Sequence, residues 1–99
     1  MNELNAIIDA LKAHKDALAA KGVLHASVFG STARGQQNDS SDVDILIDLD
    51  RTRPLNVFDY ASIKDEIKAI VGGRADVVTR EGLKKALRDR VEKEAVDAF

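Results

Sequence analysis

The chain has 99 residues, 44% of them hydrophobic and 32% charged, with a formal net charge of −2 at pH 7 and no cysteine. That length predicts one domain, 1–99, which buries about 60–65% of its unfolded surface and leaves no room for a second core. The lack of cysteine excludes a disulfide framework and a thiolate metal site, and the net acidity argues against a protein held directly to nucleic acid by phosphate neutralisation.

Aromatic residues make up only 4% of the chain, so the core must be aliphatic. The first twenty residues carry charges throughout and no uninterrupted apolar run, which fits neither a signal peptide nor a membrane span and leaves the cytoplasm as the expected location. Residues 1–50 hold 8 acidic and 4 basic side chains, a balance of −4, and residues 51–99 hold 9 acidic and 11 basic, a balance of +2. The acidic surplus lies around 39–50, where it suits divalent cations better than a nucleic-acid backbone.

In chain order, Leu4, Ile7, Ile8, Leu11 and Leu18 recur at helical spacing and predict a first helix over about 3–20, with Gly22 just past its end. A short apolar strand follows over 24–29. Residues 30–35 read as a turn opening a short helix at Ser31, and 36–41 read as a polar loop. Val43, Ile45, Ile47 and Leu49 alternate with Asp44, Leu46 and Asp48, a period of two that predicts a strand with one apolar face and one acidic face. Val57, Phe58, Ala61, Ile67 and Ile70 mark a helix ending before Gly72-Gly73. Residues 75–78 form a third strand. Thr79 is placed to cap a final helix with Leu83, Leu87, Val91, Ala95 and Ala98 along one face. The order α-β-α-β-α-β-α predicts an α/β (α+β) fold, a small three-stranded mixed sheet packed by about four helices.

Chemistry concentrates in two places. Asp42 and Asp44, two apart on a strand, point the same way. Two carboxylates sharing a partly buried site repel unless a cation intervenes, and hard oxygen ligands suit Mg²⁺. Alone, an Asp-x-Asp pair reads sooner as a solvated strand face than as a metal site. Gly30 ends an apolar strand where a missing side chain lets backbone amides approach an anion, and Ser31 adds a hydroxyl. Alone, that pair reads as an ordinary capped turn.

In order, Gly30-Ser31, ten intervening residues and Asp42-Val43-Asp44-Ile45 resemble the signature of the DNA polymerase β-like nucleotidyltransferase superfamily. With Ala33, Arg34, Gly35 and Ser41 included, the run is similar to that superfamily's smallest branch, the minimal nucleotidyltransferase proteins. The resemblance extends over nearly the whole chain, through 75–79 and the helix after it. It implies a third carboxylate on the next strand, where Asp76 stands.

The resemblance implies a nucleotidyltransferase in which Asp42, Asp44 and Asp76 are catalytic and hold two Mg²⁺ ions. Gly30 and Ser31, together with Asp42 and Asp44, would bind the nucleoside triphosphate. Arg34 either contacts phosphate or a partner, or solvates the turn. Stand-alone relatives of this kind are typically antitoxins that transfer AMP from ATP to a tyrosine of a HEPN-domain ribonuclease toxin, which implies a hetero-oligomer with such a partner. Two alternatives stay open: an antitoxin that neutralises by binding alone, and transfer to a small molecule such as an aminoglycoside. Asp48 and Asp50 read as solvated surface acids, His14 and His25 as structural. Lys84, Lys85, Arg88, Arg90 and Lys93 read as a solvated helix face with ion pairs.

Overall fold

A computed structural model describes residues 3–35 and 42–99; the loop expected at 36–41 lies outside the described residues. Leu4, Ile7, Ile8 and Leu11 set the inner face of α1 (Glu3–Ala13). The helix expected to continue to residue 20 breaks at His14. The ring Nδ1 of His14 hydrogen-bonds the Ala10 carbonyl at 2.8 Å, the acceptor a continuous helix would give to the His14 amide. That amide turns to the Leu11 carbonyl at 3.1 Å instead, a side chain competing with the backbone for one acceptor. The chain resumes as α2 (Lys15–Ala20), whose Leu18 is fully buried. Gly22, at φ +105°, makes the exit that an L side chain would resist.

Strand β1 (Val23–Phe29) runs into α3 (Gly30–Ala33), and β2 (Val43–Leu49) returns antiparallel to β1. A bulge between Val23 and His25 leaves Leu24 half-exposed. From β2 the chain crosses over through α4 (Val57–Val71) to β3 (Ala75–Thr79), which lies parallel to β2. A reciprocal capping box starts α4: the Asp59 amide donates to Asn56 Oδ1 at 2.9 Å, and the Asn56 amide donates to Asp59 Oδ2 at 3.0 Å. Gly72, in the left-handed region at φ +99°, ends it.

The end of the chain corrects the sequence reading. Thr79 Oγ1 accepts from the Gly82 amide at 3.1 Å and so caps a 3₁₀ turn (Arg80–Gly82), not a helix. The last helix, α5, covers only Lys85–Glu94 and starts without a side-chain cap. Ala95 turns extended, and Val96–Asp97 become β4, paired antiparallel with β1. The sheet therefore has four strands in the order β3-β2-β1-β4, where three were expected, with five α-helices among the described residues. The stripe Leu83-Leu87-Val91-Ala95-Ala98 fits a helix by spacing, but Val96 and Ala98 also fit a period of two. What decides is that Ala98, 2% exposed, gains a place in the core and donates its amide to the Ala26 carbonyl at 2.8 Å.

The two sheet faces differ. Val23, Ala26, Val28, Val43, Ile45, Ile47, Ala75 and Val77 join Ile7, Ile8, Leu11, Leu18, Ile63 and Ile67 in one aliphatic core. By strand parity the opposite face carries Asp44, Leu46 and Asp48 of β2 and Asp76 of β3. Leu46 and Val91 are the buried apolar residues there, and α5 is tied to this face by charge. Arg80 Nε donates to Asp48 Oδ1 at 2.8 Å, and Arg80 Nη1 donates to Glu92 Oε1 at 2.6 Å. Asp48 is thus an ion-pair partner and not the solvated acid expected. Among the described residues no helix is long and apolar enough to cross a membrane.

Candidate active site

The end of β1 and the starts of β2 and β3 meet at one edge of the molecule, because β2 is antiparallel to one neighbour and parallel to the other. Register does the placing. Phe29 pairs with Asp44, so Gly30 arrives beside the Asp44 carboxylate. Asp44 pairs in turn with Asp76. Gly30 sits at φ +74°, and a Cβ added there would fall onto Asp44 Oδ2. Both the backbone angle and the close approach demand glycine.

The charges are crowded. The carboxyl group of Asp44 is pushed above its ordinary value, first by burial, then by the charges of Asp76 and Asp42, with Arg34 opposing and Glu94 adding to the effect. Asp42, just before β2, is largely exposed, and its Oδ1 lies 3.6 Å from Arg74 Nε. The structure thus brings Asp44 and Asp76 together and leaves Asp42 at the rim beside a cation. Among the described residues no three carboxylate or imidazole groups are drawn tightly enough to chelate one ion. The donor set nonetheless fits Mg²⁺: hard oxygens whose mutual repulsion a divalent cation would relieve.

Ser31, the second residue of α3, follows Gly30 at this edge and is half-buried. Its neighbour Thr32 is 1% exposed, and its Oγ1 has no hydrogen-bond partner among the described residues. Arg34 points back to α5, where Glu94 Oε2 accepts from Arg34 Nη1 at 3.0 Å. The other oxygen of Glu94 accepts from the Gly30 amide at 3.1 Å. Sequence reading missed Glu94. A signal was present, since an acid in the last turn of a helix opposes the helix dipole and needs a local cation or amide.

An open cavity of about 500 Å³ lies at the opposite end of the sheet, past the end of β2. Its cations are already engaged. Lys21 Nζ lies 2.8 Å from Glu66 and donates to Ser62 Oγ at 2.8 Å, while Arg53 caps the Ala19 and Ala20 carbonyls at 3.2 and 2.9 Å. This cavity therefore offers no free cation of Lys21 or Arg53 to an anionic substrate, and the acid edge is the stronger candidate.

A family model of the nucleotidyltransferase domain matches residues 11–98. A protein of Thermococcus cleftensis named protein adenylyltransferase MntA is 35% identical over 97 residues, spanning 97% of this chain and 96% of its own. A Methanocaldococcus jannaschii protein provisionally named a protein adenylyltransferase is 39% identical over 82 residues, 83% of this chain and 86% of its own. A solved structure described as a minimal nucleotidyltransferase superposes with a TM-score of 0.71 at 33% identity, covering 90% of this chain and 93% of that one. A toxin–antitoxin crystal structure with AMP-PNP shares the fold, with a TM-score of 0.67 at 20% identity over 100% of this chain and 73% of that one. The acid edge and these likenesses agree: the chain belongs to the nucleotidyltransferase domain family and is a nucleotidyltransferase.

Proposed function

We propose that the protein is an antitoxin that transfers AMP from ATP to a tyrosine hydroxyl of a HEPN-domain ribonuclease partner, with Mg²⁺ held by Asp42, Asp44 and Asp76. The observation that carries the chemistry is the Asp44–Asp76 register pair beside Gly30, with Asp42 at the rim. Support for the biological role comes from the MntA adenylyltransferase relative and from the fold shared with a toxin–antitoxin complex.

In the reaction, the acceptor oxygen bonds to the α-phosphorus, and the bond from that phosphorus to the oxygen bridging to the β-phosphate breaks. Pyrophosphate leaves with the bonding pair. When bound, Mg²⁺ neutralises charge on the attacking and leaving oxygens. Asp76 takes the proton of the acceptor hydroxyl. Asp42 and Asp44 would hold Mg²⁺ at the phosphate-bearing end, and Gly30, Ser31 and Arg34 would orient the β- and γ-phosphates.

The test is intact-mass measurement of the product of the neighbouring gene after incubation with the chain, ATP and Mg²⁺. An AMP-sized addition on a partner tyrosine is expected, and it is lost with Asp44→Asn. An unmodified partner that Asp44→Asn still neutralises would show masking by binding alone. Adenylylation of a small hydroxylated acceptor without any partner would instead assign the chemistry to a small molecule.

A further inference from the structure

Gly30 N–H and the Arg34 guanidinium, the groups that the proposed reaction assigns to phosphate, are both already bound to an anion. That anion is Glu94, in the last turn of α5, with Oε1 on the Gly30 amide at 3.1 Å and Oε2 on Arg34 Nη1 at 3.0 Å. We propose that Glu94 is an internal occupant of the phosphate subsite, holding the Gly30 turn in shape in the empty enzyme and swinging away when triphosphate binds.

The inference rests on the reading that Gly30 and Arg34 receive triphosphate, and the chemistry of the contact carries it. A carboxylate presents two anionic oxygens to two N–H donors, as a phosphate group does. The Gly30 amide is part-buried, and a buried donor left without an acceptor is costly. An internal acid meets that need until triphosphate arrives. Glu94 also stands among like charges, because its field acts on Asp44 alongside those of Asp42 and Asp76. A bound triphosphate brings more negative charge to the same place, and one more carboxylate there opposes it. The side chain of Glu94 is 24% exposed and flexible, so it can turn to solvent without rearranging the core.

The test is binding of Mg²⁺·AMP-PNP, and separately of inorganic tripolyphosphate, to wild type and Glu94→Gln. Glutamine keeps the length and an acceptor for Gly30 but removes the competing charge. About tenfold tighter binding of both probes by E94Q is expected, a difference of about 1.4 kcal/mol. Arg34→Ala should weaken binding more in the E94Q background than in wild type, because there the arginine gives up no carboxylate to reach phosphate. Equal or weaker binding by an E94Q protein with an unchanged melting curve overturns the inference and makes Glu94 a positioning contact retained in the complex. If neither protein binds either probe, the nucleotide reading fails and takes the inference with it.

Discussion

Asp44 and Asp76 are partners across the parallel β2–β3 ladder, two carboxylates set side by side at the edge where Gly30 follows β1. Like charges directly opposite on neighbouring strands destabilise a sheet. Asp44 registers the conflict, its carboxyl group pushed above the ordinary 3.8 by burial first and by Asp76 next. The fold therefore carries a repulsion that a proton or a bound cation would relieve.

Replacing one partner should stabilise the empty protein. Asp76→Asn keeps the shape and removes the charge facing Asp44, and it is expected to add about 0.5 kcal/mol, or about 2–4 °C in Tm for a domain of this size. A carboxyl whose folded pKa is raised binds more protons folded than unfolded. Its contribution thus favours folding at low pH and is lost as pH rises through the raised value. The gain from Asp76→Asn should accordingly be present at pH 7 and shrink below Asp44's raised pKa. Thermal melts at the two pH values check it, and a lower Tm at pH 7 would count against the repulsion. The same variant should lose nucleotidyl transfer.

Magnesium and protons should relieve the same repulsion and compete for it. Added Mg²⁺ is expected to raise the Tm of wild type at pH 7 by mass action. The effect should fade as acid protonates Asp44, beginning at a higher pH than an ordinary aspartate would require. Asp44→Asn should abolish the Mg²⁺ response while leaving the fold intact. Melting curves with Mg²⁺ and with chelator, across a pH series, measure this directly; an undiminished response in Asp44→Asn would remove Asp44 from the metal site.

Gly30→Ala should damage both fold and site. A Cβ there meets Asp44 Oδ2, and φ +74° is unfavourable for any L side chain. The expected cost is about 2 kcal/mol, with transfer lost as the Asp44 carboxylate is displaced. Gly30→Ala combined with Asp44→Ala should recover part of that stability, because the second change removes the carboxyl group and leaves the backbone term and a tight 3.3 Å contact with the Cβ of residue 44. A double-mutant cycle by denaturant unfolding separates the two; strictly additive losses would mean that the contact is not the cause.

The first half of the candidate site was legible because its signals are local. Gly30, Ser31, Asp42 and Asp44 are close in sequence, strand parity gives Asp44 its face, and alternation gives β2 its core side. Asp76 could be named from the family pattern, yet only pairing with β2 puts it opposite Asp44, since register between strands separated by α4 is not written in either one. Glu94 was hidden for the same reason: it reaches Gly30 across 64 residues. The fourth strand was missed because two residues are too few to show a period, and the helical spacing of 83, 87, 91 and 95 runs straight into them. The break at His14 came from one side chain taking one carbonyl, a competition that hydrophobic periodicity does not see.

Arg80 links the sheet to α5, and its loss should be felt in the site without touching it. Its guanidinium spans Asp48 and Glu92, and its carbonyl accepts from Arg88 Nε at 3.1 Å. Arg80→Ala takes the guanidinium from Asp48 and removes one of the ties, the contact to Glu92, that hold the helix whose last turn carries Glu94. The pair is partly exposed, so the stability loss should be modest, about 1 kcal/mol. Arg80→Lys should recover little of it, because one ammonium cannot hold two carboxylates in the arginine's forked geometry. If α5 positions Glu94 against Gly30, Arg80→Ala should also tighten Mg²⁺·AMP-PNP binding in the direction of Glu94→Gln, and the two effects should not add when combined. Unfolding curves and nucleotide titrations on the three variants check this. Tighter binding in Glu94→Gln that Arg80→Ala increases by its full single-variant amount would show that the arginine acts through something other than Glu94.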